Sequence, residues 1–144
     1  MVKKESVRPM DAEQSYELRF PVGILGFEDI TAYVLRQRGR GPVWELSPLE
    51  GEYPRFVIFA AESVVERYCP QIPQTALAQL EAKNPAELSF FAIAVVPQDI
   101  SQTTVNLRSP LAVNFQTGLA AQIVLETSAY PMRHPIFSEK GKVE

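Results

Sequence analysis

The apolar residues of this chain come in short runs, each of strand length and each cut off by proline, glycine or a polar turn. That spacing asks for many short strands and leaves little room for long helices. Tyr16, Leu18 and Phe20 alternate with Glu17 and Arg19, the period of a half-buried strand. Thr31 to Arg38 and Val43-Trp44-Glu45-Leu46 flank Gly39-Arg40-Gly41-Pro42 as a hairpin with a wide tip. Phe56-Val57-Ile58-Phe59-Ala60 is apolar without interruption, so both of its faces are expected to be covered. Leu88 to Val96, the longest run, is rich in branched and aromatic side chains and closed by Pro97, which favours a central strand over a helix. Thr103 to Leu107 and Leu111 to Phe115 read as two separate strands, the second turning through Gln116-Thr117-Gly118 into Leu119 to Leu125. Ala76 to Ala82 predicts one short helix stopped by Asn84-Pro85, and Tyr130 to Phe137, with two prolines, is expected to lie along the surface. The fold class is therefore mainly β: a small antiparallel β-barrel-like domain with one short helix.

Residues 1–14 are polar and aperiodic and read as a flexible N-terminal arm, 15–137 as a single domain, and 138–144 as a flexible tail. A domain of this size removes about 68–70% of its unfolded surface from water, enough for a full core. The composition, 46% apolar and 22% charged, is that of a globular chain, and no apolar run approaches the roughly 20 residues of a membrane-spanning helix. Lys3 and Lys4 are followed by charged residues rather than an apolar stretch, so no secretory signal is read and a cytoplasmic location is expected. Cys69 stands alone, which forbids an intrachain disulfide, and is expected to behave as a small, partly buried hydrophobe. A formal charge of −3 is the wrong sign for holding phosphate backbones and favours a basic or apolar protein partner.

Catalytic constellations are hard to assemble from these residues. One His and one Cys cannot supply the three or four ligands of a zinc site, and no serine sits in a G-x-S-x-G elbow. Asp29, Glu45 and Glu126 would make an acid–base site only if they met in a closed cleft; they are expected to be scattered. The expectation is no enzyme, no metal and no cofactor. Arg36, Arg38 and Arg40 form the one local basic cluster, but no aromatic stacking residue is interleaved, so a solvated hairpin is favoured over an RNA contact. Carboxylates cluster at Glu50 and Glu52 and again at Glu62 and Glu66, where they would steer a basic partner.

Between Phe20 and Glu28 two glycines, a proline and two aromatic residues surround a short apolar core. Such a stretch specifies a shaped loop: Phe20, Ile24 and Phe27 are expected to anchor it, Pro21 to fix its entry, and Gly23 and Gly26 to take conformations other residues resist. Only its tip, near Glu28, is left as a contact. Asn106, Asn114 and Gln122 interrupt apolar strand segments, and are expected to tie down strand ends or the loop after Leu107.

These residues, in this order, resemble the flagellar assembly factor FliW family. The resemblance rests on Phe20-Pro21-x-Gly23-Ile24-x-Gly26-Phe27-Glu28 with Tyr33 and Leu35 after it, on Thr104-Val105-Asn106-Leu107-x-x-Pro110-Leu111-x-x-Asn114, and on Ala121-Gln122-Ile123-Val124-Leu125 with Tyr130 and Arg133 beyond. It covers residues 16 to 137. Two places depart from the family pattern: Glu45-Leu46-Ser47 stands for Leu-Gln-Ser, and Phe59 runs into Ala60-Ala61 rather than Pro. The resemblance implies a non-enzymatic regulator with a small β-barrel-like fold, which is expected to be cytoplasmic, monomeric when free, and to bind no nucleic acid directly and no membrane. It implies two mutually exclusive protein partners: flagellin, and the translational repressor CsrA, whose RNA binding the regulator weakens allosterically. The bottom-up alternative is an RNA-binding or small-ligand-binding β-barrel module. Partner contacts are expected at Glu28, Glu50, Glu52, Glu62 and Glu66.

Overall fold

The computed structural model describes residues 14–127 and 129–137; the arm read over 1–14, save Gln14, and the tail read over 138–144 lie outside the described residues. Alternation builds the first strand as the pattern requires. In β1 (Gln14–Arg19) Leu18 is buried while Glu17 and Arg19 face outward, and Phe20 just beyond is fully buried. β1 pairs with β2 (Ala32–Gln37), β2 with β3 (Val43–Pro48), β3 with β4 (Phe56–Ala60), and β4 with β5 (Ser89–Val95), all antiparallel. β5 pairs with β6 (Thr104–Asn114) and β6 with β7 (Leu119–Gln122), again antiparallel. β7 returns to β1, and seven strands close into a barrel.

The closure is not antiparallel like the rest. β1 and β7 run parallel and share one register pair, Arg19 with Leu119, where the Arg19 N–H donates to the Gly118 carbonyl at 2.8 Å. The segment from Tyr130 to Phe137 does more than lie on the surface: β8 (His134–Pro135) pairs with Thr104 and Val105 of β6, and Ile136 is buried.

Inside the barrel Leu18, Phe20, Ile24, Tyr33, Leu35, Leu46, Ile58, Phe91, Leu111 and Val113 form one cluster. Each such side chain, moved from water to this interior, stabilises the fold by about 1.5–3 kcal/mol. The outer face of β4, β5 and β6 is covered as well. Phe59 packs outward against Val64, Tyr68, Ala92 and Val105, while helix α1 (Gln74–Gln79) lays Ala76 and Leu77 on Ala112 and Ile123. This explains the continuous apolar runs of β4 and β5, since both faces are covered, except that Val57 near the start of β4 and Val95 at the end of β5 are exposed. The helix ends at Leu80, ahead of Asn84-Pro85, because Glu81 takes φ +56°. Asn84 instead caps a short 3-10 turn, Pro85–Glu87, by accepting from the Ala86 N–H. Cys69 is exposed rather than partly buried: Tyr68 takes the inward position, its hydroxyl donating to the Leu107 carbonyl.

The two strands read around Asn106 and Leu111 are one. β6 runs through Pro110 because its register against β5 steps from Phe91↔Leu111 to Ile93↔Asn106, leaving residues 107 to 110 opposite Ala92. This bulge switches the faces of the strand, so Leu111 and Val113 point into the barrel while Val105 and Leu107 point out of it. Asn106 holds the bulge: its Oδ1 accepts from the N–H groups of both Arg108 and Ser109 at 3.0 Å. Pro110 has no N–H to lose, and its carbonyl accepts from Ile123.

Connections alternate between two ends of the barrel. Those spanning 20–31, 49–55 and 96–103 gather at one end, called here the loop end, with the chain that leaves β7. Those spanning 38–42 and 115–118 lie at the other, the mouth, where 61–88 also begins and ends before its middle runs along the outer wall.

Candidate protein-binding surface

The loop from Phe20 to Glu28 is held from within. The Phe20 N–H donates to Thr31, the Gly23 N–H to Phe20 at 2.9 Å, and the Phe27 N–H to Ile24 at 2.7 Å, so two tight turns follow one another. Phe20 and Ile24 are buried, and Phe20 meets Tyr33 edge-on at 5.2 Å between ring centres. Phe27 is half-buried and packs edge-on against Phe56 and Tyr53, at 5.5 and 6.0 Å. Gly23 and Gly26 hold φ +81° and +89°. Pro21 is exposed, as are Val22, Leu25, Glu28 and Asp29.

Three sequence motifs, far apart along the chain, meet behind this loop. The Leu25 N–H donates to Gln122 Oε1 at 3.0 Å, and Gln122 Nε2 reaches the Ser109 carbonyl at 3.5 Å. Ser109 in turn donates its N–H to Asn106. Arg108, the other residue clasped by Asn106, donates from Nε to the Tyr130 carbonyl at 3.0 Å. Asn114 does similar work lower on β6: it is buried, its Nδ2 donates to the Leu80 carbonyl at 2.7 Å, and its Oδ1 accepts from the Gln116 N–H. Side-chain amides, buried at Asn114 and half-buried at Asn106 and Gln122, hold the backbone here, and each of the three is engaged with the chain itself.

What the loop end presents outward is apolar and acidic. Val22 and Leu25 are about two-thirds exposed and Tyr53 is 77% exposed; Leu49, on the connection after β3 that also carries Tyr53, is exposed as well. Glu50 and Glu52 flank Gly51 on that same connection, and Glu28 lies across from it with its carboxylate accepting from the Gly26 N–H at 3.2 Å. Glu62 lines the mouth, and Glu66 is exposed between Val64 and Tyr68, which pack on the outer wall, so both stand apart from the other three. The five carboxylates thus do not share one surface. Sequence reasoning found the acidic residues at the loop end but missed Val22, Leu25 and Tyr53, because an exposed apolar residue next to glycine or proline carries no pattern of its own.

The remaining candidates lie elsewhere. Arg36 donates to Ser47 Oγ at 3.2 Å, and Arg38 and Arg55 both reach Glu45, at 3.0 and 3.1 Å, on the outer face of β2 and β3. Arg40 is exposed at the hairpin tip. Burial pushes the Glu45 carboxyl up, but hydrogen bonds and charge from Arg38 and Arg55 outweigh it and hold the group below its ordinary range. Asp29 and Glu126 are exposed, in the loop after β1 and beyond β7. Among the described residues no three His, Cys, Asp or Glu side chains are grouped to hold a metal ion. Ser47 and Ala61, where the chain departs from the family pattern, are 3% and 1% exposed, so neither side chain can touch a partner. At the mouth Tyr16, Trp44, Phe91 and Phe115 surround a cavity of about 480 Å³, three of their contacts edge to face and the Tyr16–Trp44 contact tilted.

A family model described as FliW protein matches residues 2–136 of the chain. The flagellar assembly factor FliW of Natranaerobius thermophilus is 34% identical over 126 residues, spanning 86% of this chain and 83% of that one. Its counterpart in Ruminiclostridium cellulolyticum is 31% identical over 129 residues, or 88% and 87% of the two chains. A crystal structure of the flagellar assembly factor FliW superposes with a TM-score of 0.76 at 27% identity, covering 86% of this chain and 87% of that one. Among the described residues no helix is long and apolar enough to cross a membrane.

Proposed function

The chain belongs to the FliW family, and from that premise we propose that it is a non-enzymatic flagellar assembly factor of the cytoplasm that binds CsrA and flagellin, one at a time. The observation that supports this reading most is the way three motifs converge to fix one loop while leaving Val22, Leu25 and Glu28 on its outside. Side-chain amides from distant strands that tie down a loop fix its shape, and an apolar surface with carboxylates at its edge suits a protein surface better than a small substrate. Glu28, Glu50 and Glu52 add the charge that draws in a basic partner.

Mutual exclusion follows if both partners use the loop end, since one surface of this extent holds one protein. Bound CsrA is held away from RNA by a change at its own distant site; flagellin accumulating in the cell displaces it and frees the repressor. The protein is monomeric until it meets a partner and needs no cofactor. A pull-down with purified CsrA and flagellin from the same cell, followed by competition between them, tests this. The expected result is a complex with each and displacement of one by the other. No complex with either, or a stable ternary complex, would overturn it. Titration with the flagellin leader RNA alone should give no binding, because Arg36 and Arg38 are occupied on the barrel wall.

A further inference from the structure

The mouth of the barrel is built differently from the loop end. Tyr16, Trp44, Phe91 and Phe115 come from four strands or their ends and contact one another in sequence, with ring centres 4.9 to 6.4 Å apart. Together with Phe90 and Leu88 they line the cavity of about 480 Å³, which has room for a long side chain and the water around its head. The charged side chain that lines it is Glu62, exposed in the first turn of the 3-10 turn Ala61–Ser63. Gln14 and Ser89 supply its other polar lining. Arg38, at the start of the hairpin tip at this end, pairs with Glu45 on the outer wall.

We propose that this mouth receives the cationic side chain of a lysine or arginine carried by a protein partner. Aromatic rings attract a cation through their quadrupoles, tryptophan most strongly, and the attraction grows as water is excluded. The apolar stem of such a side chain matches the aromatic wall, and its charged head matches Glu62 at the rim. A neutral apolar side chain would satisfy the wall but leave the carboxylate unanswered; an acidic one would be repelled by it. The pocket lies at the opposite end from the loop surface, so it provides a second contact that holds whether or not that surface binds CsrA or flagellin.

Trp44 is the only tryptophan in the chain, so its fluorescence reports on this pocket. The intact protein is titrated with N-acetyl-lysine methylamide, N-acetyl-arginine methylamide, the neutral N-acetyl-norleucine methylamide, and tetramethylammonium. Saturable changes are expected with the lysine and arginine derivatives. Binding should weaken on the order of tenfold with norleucine, and by several-fold in Glu62→Gln, whose exposed position leaves the melting temperature unchanged. Equal binding of norleucine, no saturable response to either cation, or an unaltered response in Glu62→Gln would overturn the proposal. A response to tetramethylammonium alone would assign the pocket to a small ammonium ligand and overturn it too.

Discussion

An ideal Cβ on Gly23 would stand 2.6 Å from the Cα and 2.8 Å from the carbonyl oxygen of Glu28, and neither backbone atom can move without undoing the loop. Gly26 holds a similar positive φ, but a Cβ there would meet nothing within 4 Å. Gly23→Ala is therefore expected to cost about 3 kcal/mol or more and Gly26→Ala only about 1 kcal/mol. Urea titrations of the two variants check the difference. Tyr33 shows the reverse situation: it is fully buried, and its hydroxyl is the buried side-chain polar atom found without a hydrogen-bond partner among the described residues. Burial pushes that hydroxyl's pKa up. An unpaired buried hydroxyl is a cost, so Tyr33→Phe should stabilise the protein by about 1 kcal/mol and raise its melting temperature by a few degrees. A lower melting temperature would mean that the hydroxyl has a partner.

At the scale of elements, the bulge in β6 decides which side chains face the core. Asn106 holds it through one acceptor oxygen, so Asn106→Asp keeps both hydrogen bonds while Asn106→Ala loses them. The alanine variant should lose about 1–3 kcal/mol and exchange the Arg108 and Ser109 amides faster; the aspartate variant should do neither. Asn114, which donates from its amide nitrogen to a buried carbonyl, should not tolerate the same change. Glu45 joins β3 to Arg38 and Arg55 with a lowered pKa. Its contribution is present above the ordinary value of 4.5 and is lost as pH falls through the lower folded value. Melts of Glu45→Gln should fall below wild type at pH 7 and converge with it in acid, by less than about 1 kcal/mol because both arginines are half-exposed.

Much of this level was legible beforehand. Tyr16, Leu18 and Phe20 give β1 by alternation, and the glycine-proline tip gives the β2–β3 hairpin. The bulge was not legible, because Pro110 reads as a break between strands and only the pairing with β5 and Ile123 shows that the strand continues. The aromatic mouth escaped for a related reason: its rings come from positions 16, 44, 91 and 115, and local periodicity holds no information about contacts that distant. The loop itself was read from its glycines, but its outward face was not, since exposure of Val22 and Leu25 depends on what packs beneath them.

Over the whole molecule, exposed apolar side chains and the ring cluster are sorted by end, and both ends carry carboxylates. The loop end carries exposed Val22, Leu25 and Tyr53 with Glu28, Glu50 and Glu52, while the mouth carries the rings and Glu62. Replacing Glu50 and Glu52 together by lysine should leave folding intact and slow association with a basic partner by about tenfold at low salt, with the difference shrinking as salt rises. Stopped-flow association with CsrA at two ionic strengths measures it; an unchanged rate at both would remove these carboxylates from the encounter.

The single parallel pair between β1 and β7 has a consequence of pure counting. Directions can alternate all the way round a ring only when the number of strands is even, and this ring has seven. One parallel junction is therefore compulsory, and it falls where the first strand meets the last. Because β1 runs from the mouth and β7 runs the same way, the described chain enters the barrel at one pole and leaves it at the other. The molecule thus has a polarity fixed by parity alone, before any side chain is chosen, and its two unlike ends are the two ends of that axis.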